Sequence, residues 1–407
     1  MAQRALSVDD ALARILDGAG PTQTERVCLP QADGRTLAEP LVAKLTQPPF
    51  HASAMDGYAV RADDVATLPA SLTLIGEAAA GHPYSGSPLA LGQTVRIFTG
   101  APLPEGADAI VIQENTERGE GNLVRVVDGT PDPGHVRPAG GDFLKGATGL
   151  EPGTRLMPRH IALAASMGHD TLPVRRKPVV AVIATGDELV EPGTPPGPGQ
   201  IVASNGYAIA AMVNRAGGQA KLLGIARDTL PSLKSHLELA AGADILVTIG
   251  GASVGDHDLV AKALAAEGFE LDFWKIAMRP GKPLMFAQNE IGQRAIGVPG
   301  NPVSSIICTA IFVLPLIAAM TGVRNAATTT ELQASLTQSL AKNGPRQHYM
   351  RANLTLTADG KPTVTPASSQ DSALLSILCE ANALIVRQPN APALGEGDKV
   401  TVRTIEF

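Results

Sequence analysis

The chain has 407 residues, more than one hydrophobic core usually organises, so two to four domains are expected. Its apolar fraction of 44% is ordinary for a globular protein, and with only 3% aromatic residues it is poorly suited to stacking nucleic-acid bases. A net charge of −6 argues against general polyanion binding, so any anion site must be local.

Residues 7–16 carry apolar side chains at Val8, Ala11, Leu12 and Ile15, the spacing of a helix, with Ser7 as N-cap and Asp9 and Asp10 in the first turn. Cys28, Cys308 and Cys379 are far apart and form no CxxC pair, which fits a reducing cytosol. The histidines form no HExxH, so a zinc site is not expected, and the N-terminus lacks the apolar core of a signal peptide. Residues 44–141 read as a β-rich module, with runs at 72–80, 94–99, 109–113 and 123–127 separated by glycines and prolines. Inside it, Asp56-Gly57 is a turn signal, and Thr99 opens a loop rich in Gly and Pro. Residues 136–145 are glycine-rich and carry Arg137 and Asp142, either in an ordinary loop or in a substrate loop. Residues 159–168 form a small-residue helix ending in Gly168; it is expected to pack on the first helix and so complete a discontinuous first domain.

From Lys177 the pattern changes. Apolar runs at 179–185, 220–226, 245–249, 284–288 and 295–298 alternate with helical stretches at 204–216, 229–241 and 259–268, which predicts an α/β domain with a largely parallel sheet. Ligands of such sheets bind beyond the carboxyl ends of the strands, where TGDE, GGASVGD, RPGKP and PGNP all fall. The pair Gly250-Gly251, with Ser253, suits an anion-binding nest, and Asp256 and Asp258 follow it; the alternative is a plain strand-to-helix turn. Lys275 and Arg279 are four residues apart on an extended stretch, so they are expected to share a face, and Lys282 sits in a turn bounded by prolines. Arg and Lys in this pattern suit oxyanion binding. Glu188, Asp228, Asp256 and Asp258 near these cations call for a hard cation such as Mg²⁺ and a charged ligand sharing the space. There is no GxxxxGK[ST] and no GxGxxG after the first strand, so neither a P-loop nor a dinucleotide site is supported. The apolar segment 306–320 is short for a bilayer, carries Thr309 and Pro315, and reads as a buried core helix. Residues 328–407 return to short strands, at 332–340, 350–356, 362–366, 383–387 and 399–405, which predicts a small barrel or sandwich.

Together, SAMDGYAV (53–60), FTGAPLPEGADAIV (98–111), TGDEL (185–189), GGASVGDHD (250–258), WKIAMRPGKP (274–283) and PGNPVS (299–304) resemble the MoeA family, the molybdopterin molybdenumtransferases that include the gephyrin E domain. The resemblance runs nearly the full length, in the family's order. It implies a linking domain from 1–43 and 142–176, a β-rich insert at 44–141, a molybdopterin-binding α/β domain at 177–325 and a C-terminal β-barrel at 326–407. It also implies a cytoplasmic homodimer whose cleft is shared between subunits, with no nucleic-acid or membrane partner and a molybdopterin adenylyltransferase upstream. The implied reaction is Mg²⁺-dependent insertion of molybdate into adenylylated molybdopterin with release of AMP. Its nucleophile, molybdate itself or a molybdenum-activated oxygen, stays open. By motif, Asp56, Thr99, Asp142, Glu188, Asp228 and Asp258 would be catalytic, with Glu188 and Asp258 as magnesium ligands. Arg137, Gly250, Gly251, Ser253, Lys275, Arg279, Lys282, Pro299, Pro302 and Ser304 would contact substrate, and Arg351 and a serine near Ser376 are further candidates for molybdate. His51-Ala52 and Arg279 depart from the family's common residues. An adenylyltransferase or a gephyrin-like scaffold are the competing readings.

Overall fold

A computed structural model describes residues 5–251, 259–324 and 331–405; Ser253, Asp256 and Asp258 lie outside the described residues. The chain builds a multidomain fold in which two six-stranded sheets and a closed barrel carry most of the β-structure, with four two-stranded pairs besides them among the described residues. In the first sheet the strand order is Ala109–Ile112, Gly57–Val60, Gln93–Ile97, Ala70–Ala78, Leu123–Val126 and Thr116–Arg118. All four residues of Gly57–Val60 are buried because both faces of that strand are covered. Tyr58 and Val60 pack with Val111 and Val124 on one face, and Ala59 packs with Val95, Ile97 and Ile110 on the other, the alternation expected of a pleated strand. A Cβ on Gly57 would sit 2.0 Å from the Val111 carbonyl oxygen, so only glycine fits where the strands approach there.

The second sheet has the order Gln219–Ala226, Val179–Thr185, Ile245–Ile249, Arg294–Val298, Met285–Asn289 and Phe269–Phe273. The first four strands are mutually parallel, while Met285–Asn289 and Phe269–Phe273 run antiparallel to their neighbours, so the sheet is mixed at one end. Ile245–Ile249 is buried at every position because helices cover both faces. Its odd positions join Val180, Val182, Ile296 and Val298 on one side, and Leu246 joins Ala181, Ile183 and Ala295 on the other. Burial of each large aliphatic side chain contributes about 1.5–3 kcal/mol, and a charge placed at any of these positions would be desolvated without a partner. The apolar run near the end of the domain is a helix from Pro302 to Thr321, long and apolar enough to cross a membrane, yet 83% of its most apolar window is buried in the protein. It widens to a π-helical turn at Thr309–Val313, just before Pro315, whose missing N–H interrupts the ordinary ladder.

The Val8–Leu16 helix starts as expected, with the Ser7 hydroxyl accepting from the Asp10 amide at 3.0 Å. Its packing differs from expectation. Val8, Ala11 and Ile15 join the core of the α/β sheet and the 302–321 helix, and Arg14 pairs with Asp272 at 2.6 Å. The Pro158–Ser166 helix packs elsewhere, with Ala164 and Met167 placed against Leu37, Leu41, Phe143, Leu172 and Val174. The apolar faces of the two helices thus serve different cores, which periodicity alone does not reveal.

At the C-terminus, Glu331–Leu336, Pro362–Pro366, Gln347–Leu356, Ala383–Arg387 and Lys399–Thr404 pair in a closed ring, a five-stranded barrel. A short helix, Leu375–Glu380, interrupts the β-pattern expected there. Met278–Arg279, which leaves the α/β layer, pairs in parallel with Gln347 and His348 and so adds a strand to the barrel.

Candidate functional site

The loops beyond the carboxyl ends of the parallel strands meet at a cleft of about 810 Å³. Val179–Thr185 delivers Gly186 and Glu188, Gln219–Ala226 delivers Asp228, and Ile245–Ile249 delivers Gly250 and Gly251. Arg294–Val298 delivers Pro299 and Pro302. The RPGKP turn precedes its strand, but Met285–Asn289 runs antiparallel, so its beginning lies at the same edge and Lys275 and Lys282 reach the cleft. Asn205 donates to the Gly300 carbonyl at 2.7 Å, joining the helix start on one side to the PGNP loop on the other.

The glycine pair has a different role from a two-amide nest. Gly250 and Gly251 have φ of +88° and +66°, the left-handed region. A Cβ would meet the Thr185 carbonyl oxygen at 2.9 Å from Gly250, or the Val260 side chain at 2.3 Å from Gly251. The Gly250 N–H, however, donates to the Val298 carbonyl at 3.0 Å, so it is not available to cradle an anion. The pair lets the chain turn tightly against the cleft floor.

Beside the cleft lies a second hollow of about 670 Å³, lined by Arg279, Lys282, Pro299, Ser304, Arg346 and the 369–372 loop. Lys275 borders only the first space and Arg279 only the second; they do not share one face as the extended spacing suggested, while Lys282 borders both. Lys275 rests its ammonium 5.4 Å from the centre of the Trp274 ring, which fixes the stem. Gly281, with φ of +109°, brings the turn against the 302–308 helix, where a Cβ would lie 2.5 Å from the Cys308 sulfur. Arg351 is buried behind the hollow, donating to the carbonyls of Leu374 (3.0 Å) and Asp371 (2.8 Å), so it shapes the wall rather than facing an anion. Asn301 Nδ2 donates to Ser372 Oγ at 2.9 Å and ties the PGNP loop to the barrel. Ser369 and Ser372 line the hollow instead of Ser376. Arg346 and Asp371 were not apparent from sequence; the Gly344-Pro345-Arg346 turn was the available signal.

Burial, and then the charges of Asp187 and Glu188, hold the Asp228 carboxyl above the usual range. Such crowding of carboxylates is relieved by a divalent cation. No group of three metal-binding side chains forms among the described residues. Glu188 and Asp228 alone suit Mg²⁺, which keeps several waters and takes one or two carboxylates plus substrate phosphates. Asp258, expected as the second ligand, lies outside the described residues.

Asp56, Thr99, Arg137 and Asp142 do not line the cleft; they gather along residues 47–57 instead. Asp56 immediately precedes Gly57–Val60, and Thr99 follows Gln93–Ile97, its antiparallel neighbour, so the two meet at one sheet end. Asp56 Oδ1 accepts from the Thr99 amide and hydroxyl, both at 2.8 Å. These bonds, with a smaller contribution from Arg96, hold its carboxyl below the usual range. Arg96 lies 4.9 Å from the ring centres of both Tyr58 and Phe98, and it donates to the Gly57 carbonyl at 3.3 Å. Arg137 pairs with Ala52, and the Asp142 amide donates to the Gln47 carbonyl at 3.0 Å.

Residues 6–168 match the MoeA N-terminal region (domain I and II), 181–319 the probable molybdopterin binding domain and 333–405 the MoeA C-terminal region (domain IV). A molybdopterin molybdenumtransferase of Haemophilus influenzae is 34% identical over 98% of both chains. One from Nostoc sp. is 38% identical over 93% of this chain and 88% of its own. A crystal structure of a molybdopterin biosynthesis MoeA protein from Pyrococcus horikosii superposes with a TM-score of 0.84 at 30% identity, covering 99% of this chain and 100% of that one. The chain belongs to the MoeA family, enzymes named molybdopterin molybdenumtransferases.

Proposed function

We propose that this enzyme acts in molybdenum cofactor biosynthesis by inserting molybdate into adenylylated molybdopterin, releasing AMP, with Mg²⁺ required. The observation that carries this reading is Lys282, which borders both the large cleft and the smaller cationic hollow. A phosphorylated ligand in the first and a tetrahedral oxyanion in the second would share that ammonium, so the two reactants would be held side by side. Lys275 and Lys282 would offset the charge developing on the phosphates as the anhydride breaks, and Arg279 and Arg346 would orient the oxyanion. Glu188 and Asp228 would hold the magnesium ion, which supplies further charge neutralisation on the phosphates.

The chain works in this proposal as a homodimer, in which Asp56, Thr99, Arg137 and Asp142 of one subunit complete the cleft of the other. Large apolar side chains around that group are exposed, with Leu45 at 54%, Phe50 at 41%, Met55 at 40% and Leu144 at 61%, which favours a protein partner at this surface. A cytoplasmic location with a molybdopterin adenylyltransferase upstream fits this substrate. The test is AMP release by purified protein given adenylylated molybdopterin and Mg²⁺, with and without molybdate. Molybdate-dependent release with formation of active cofactor supports the insertion reaction. Retention of the nucleotide under both conditions refutes it in favour of a binding or scaffolding role.

A further inference from the structure

His348 lies in a row of positive side chains that the fold extends across three strands. Its Cα is the register partner of Arg279 on one side and of Arg387 on the other. Directly paired residues place their side chains on the same face, so the imidazole sits between two guanidinium groups. Arg346, two residues earlier, lines the hollow beside Arg279. His348 is 6% exposed and Arg387 3%. Arg387 donates from Nη2 to the Pro392 and Ala341 carbonyls, while its Nε and Nη1 have no partner. The charged groups acting on His348 are Arg279 from the added strand, Arg346 and Arg351 from its own stretch, and Arg387 from the opposite strand, with no carboxylate among them. Asp371, on the loop held by Arg351, acts on Arg351 instead. Burial and these four arginines push the His348 imidazolium down to a pKa of about 4.

We propose that His348 takes up a proton from solvent when an oxyanion occupies the hollow between Arg279 and Arg346, so that a dianion enters with a compensating proton. This rests on the reading that the hollow takes molybdate. The cause is a local reversal of sign. In the free protein every charge facing the imidazole repels its cation. A dianion beside Arg279 and Arg346 is placed on the same row and favours the cation. By linkage, affinity then increases as pH falls, by at most about tenfold per pH unit for one proton.

The test is calorimetric titration of the full-length protein with molybdate between about pH 6 and about pH 8, where the free imidazole is neutral and one raised toward its ordinary pKa by the bound anion takes up a proton. Each pH is run in two buffers of different ionisation enthalpy, which gives the protons taken up per molybdate bound. The expected result is fractional uptake that increases toward low pH, and His348→Gln should bind molybdate with no uptake and a flat pH dependence. Imidazole NMR titration of the unsubstituted protein, with and without molybdate, should show the His348 pKa raised on binding, which covers the case in which the variant does not fold. Uptake that persists in His348→Gln, or an imidazole pKa unmoved by bound molybdate, overturns the proposal. Arg279→Met separates the two levels: if it leaves molybdate affinity intact, the oxyanion reading of the hollow fails. Loss of affinity without proton uptake in the parent protein sinks only the role of His348.

Discussion

Lys282 is the side chain whose removal should disturb both reactants at once. It borders the cleft with Lys275 and the hollow with Arg279, whereas each of those two borders one space. A charge-assisted hydrogen bond contributes about 1.5–3 kcal/mol, and all three side chains are exposed, so the lower end applies. Lys282→Met should therefore weaken binding of molybdate and of the nucleotide by about tenfold each. Arg279→Met should weaken only molybdate by a similar factor, and Lys275→Met only the nucleotide. Calorimetry reads molybdate affinity. Intrinsic fluorescence reads the nucleotide, because the chain has a single tryptophan, Trp274, and its ring touches Lys275. Equal loss of both affinities in Arg279→Met, or an unchanged molybdate affinity in Lys282→Met, would refute the shared-cation arrangement.

Asp56→Asn should abolish AMP release while leaving the fold intact, since the side chain is exposed and an amide oxygen can still accept from Thr99; retained turnover would remove Asp56 from the reaction. Thr99→Val keeps the amide donor but loses the hydroxyl, so the Asp56 pKa should rise part of the way back, and the acidic limb of the pH–rate profile should move to higher pH. Gly281→Ala should cost about 1–3 kcal/mol in chemical denaturation, because its positive φ and the Cys308 sulfur leave no room for a methyl group. His348 has a folded pKa of about 4 against 6.5 unfolded, so the unfolded chain binds the extra proton between these values. Stability should fall as pH drops through that window, by at most about 3 kcal/mol, and His348→Gln should flatten the dependence.

Much of the α/β layer was legible because its strands are short, β-branched and bounded by glycine or proline, while the helices between them carry the longer period. The edge that collects TGDE, GG, RPGKP and PGNP followed from that alternation. Strand direction was less accessible: Met285–Asn289 reads the same in either sense, and only its pairing shows it to be antiparallel. The Val8–Leu16 helix announced its apolar face and its cap but not the surface that receives it. Ser369 and Ser372 carry no local pattern, because bonds between Arg351 and the 370–371 backbone and side chains bring their loop to the hollow, and the Gly344-Pro345 turn marks Arg346 only as a loop residue. The Gly250 amide was misread because a glycine pair shows that the backbone turns, not which carbonyl the N–H will find.

The strand Met278–Arg279 belongs to the barrel by its hydrogen bonds and to the α/β domain by its chain. Three residues later the same chain reaches Lys282, and a second tie runs from the Val303 amide to the Ser372 carbonyl at 3.1 Å. A displacement of the barrel against the sheet would therefore be felt at both cationic side chains, Arg279 beside the hollow and Lys282 at the larger cleft. Product departure and oxyanion entry would share one mechanical stroke, and a crosslink that immobilised the barrel would stall both together.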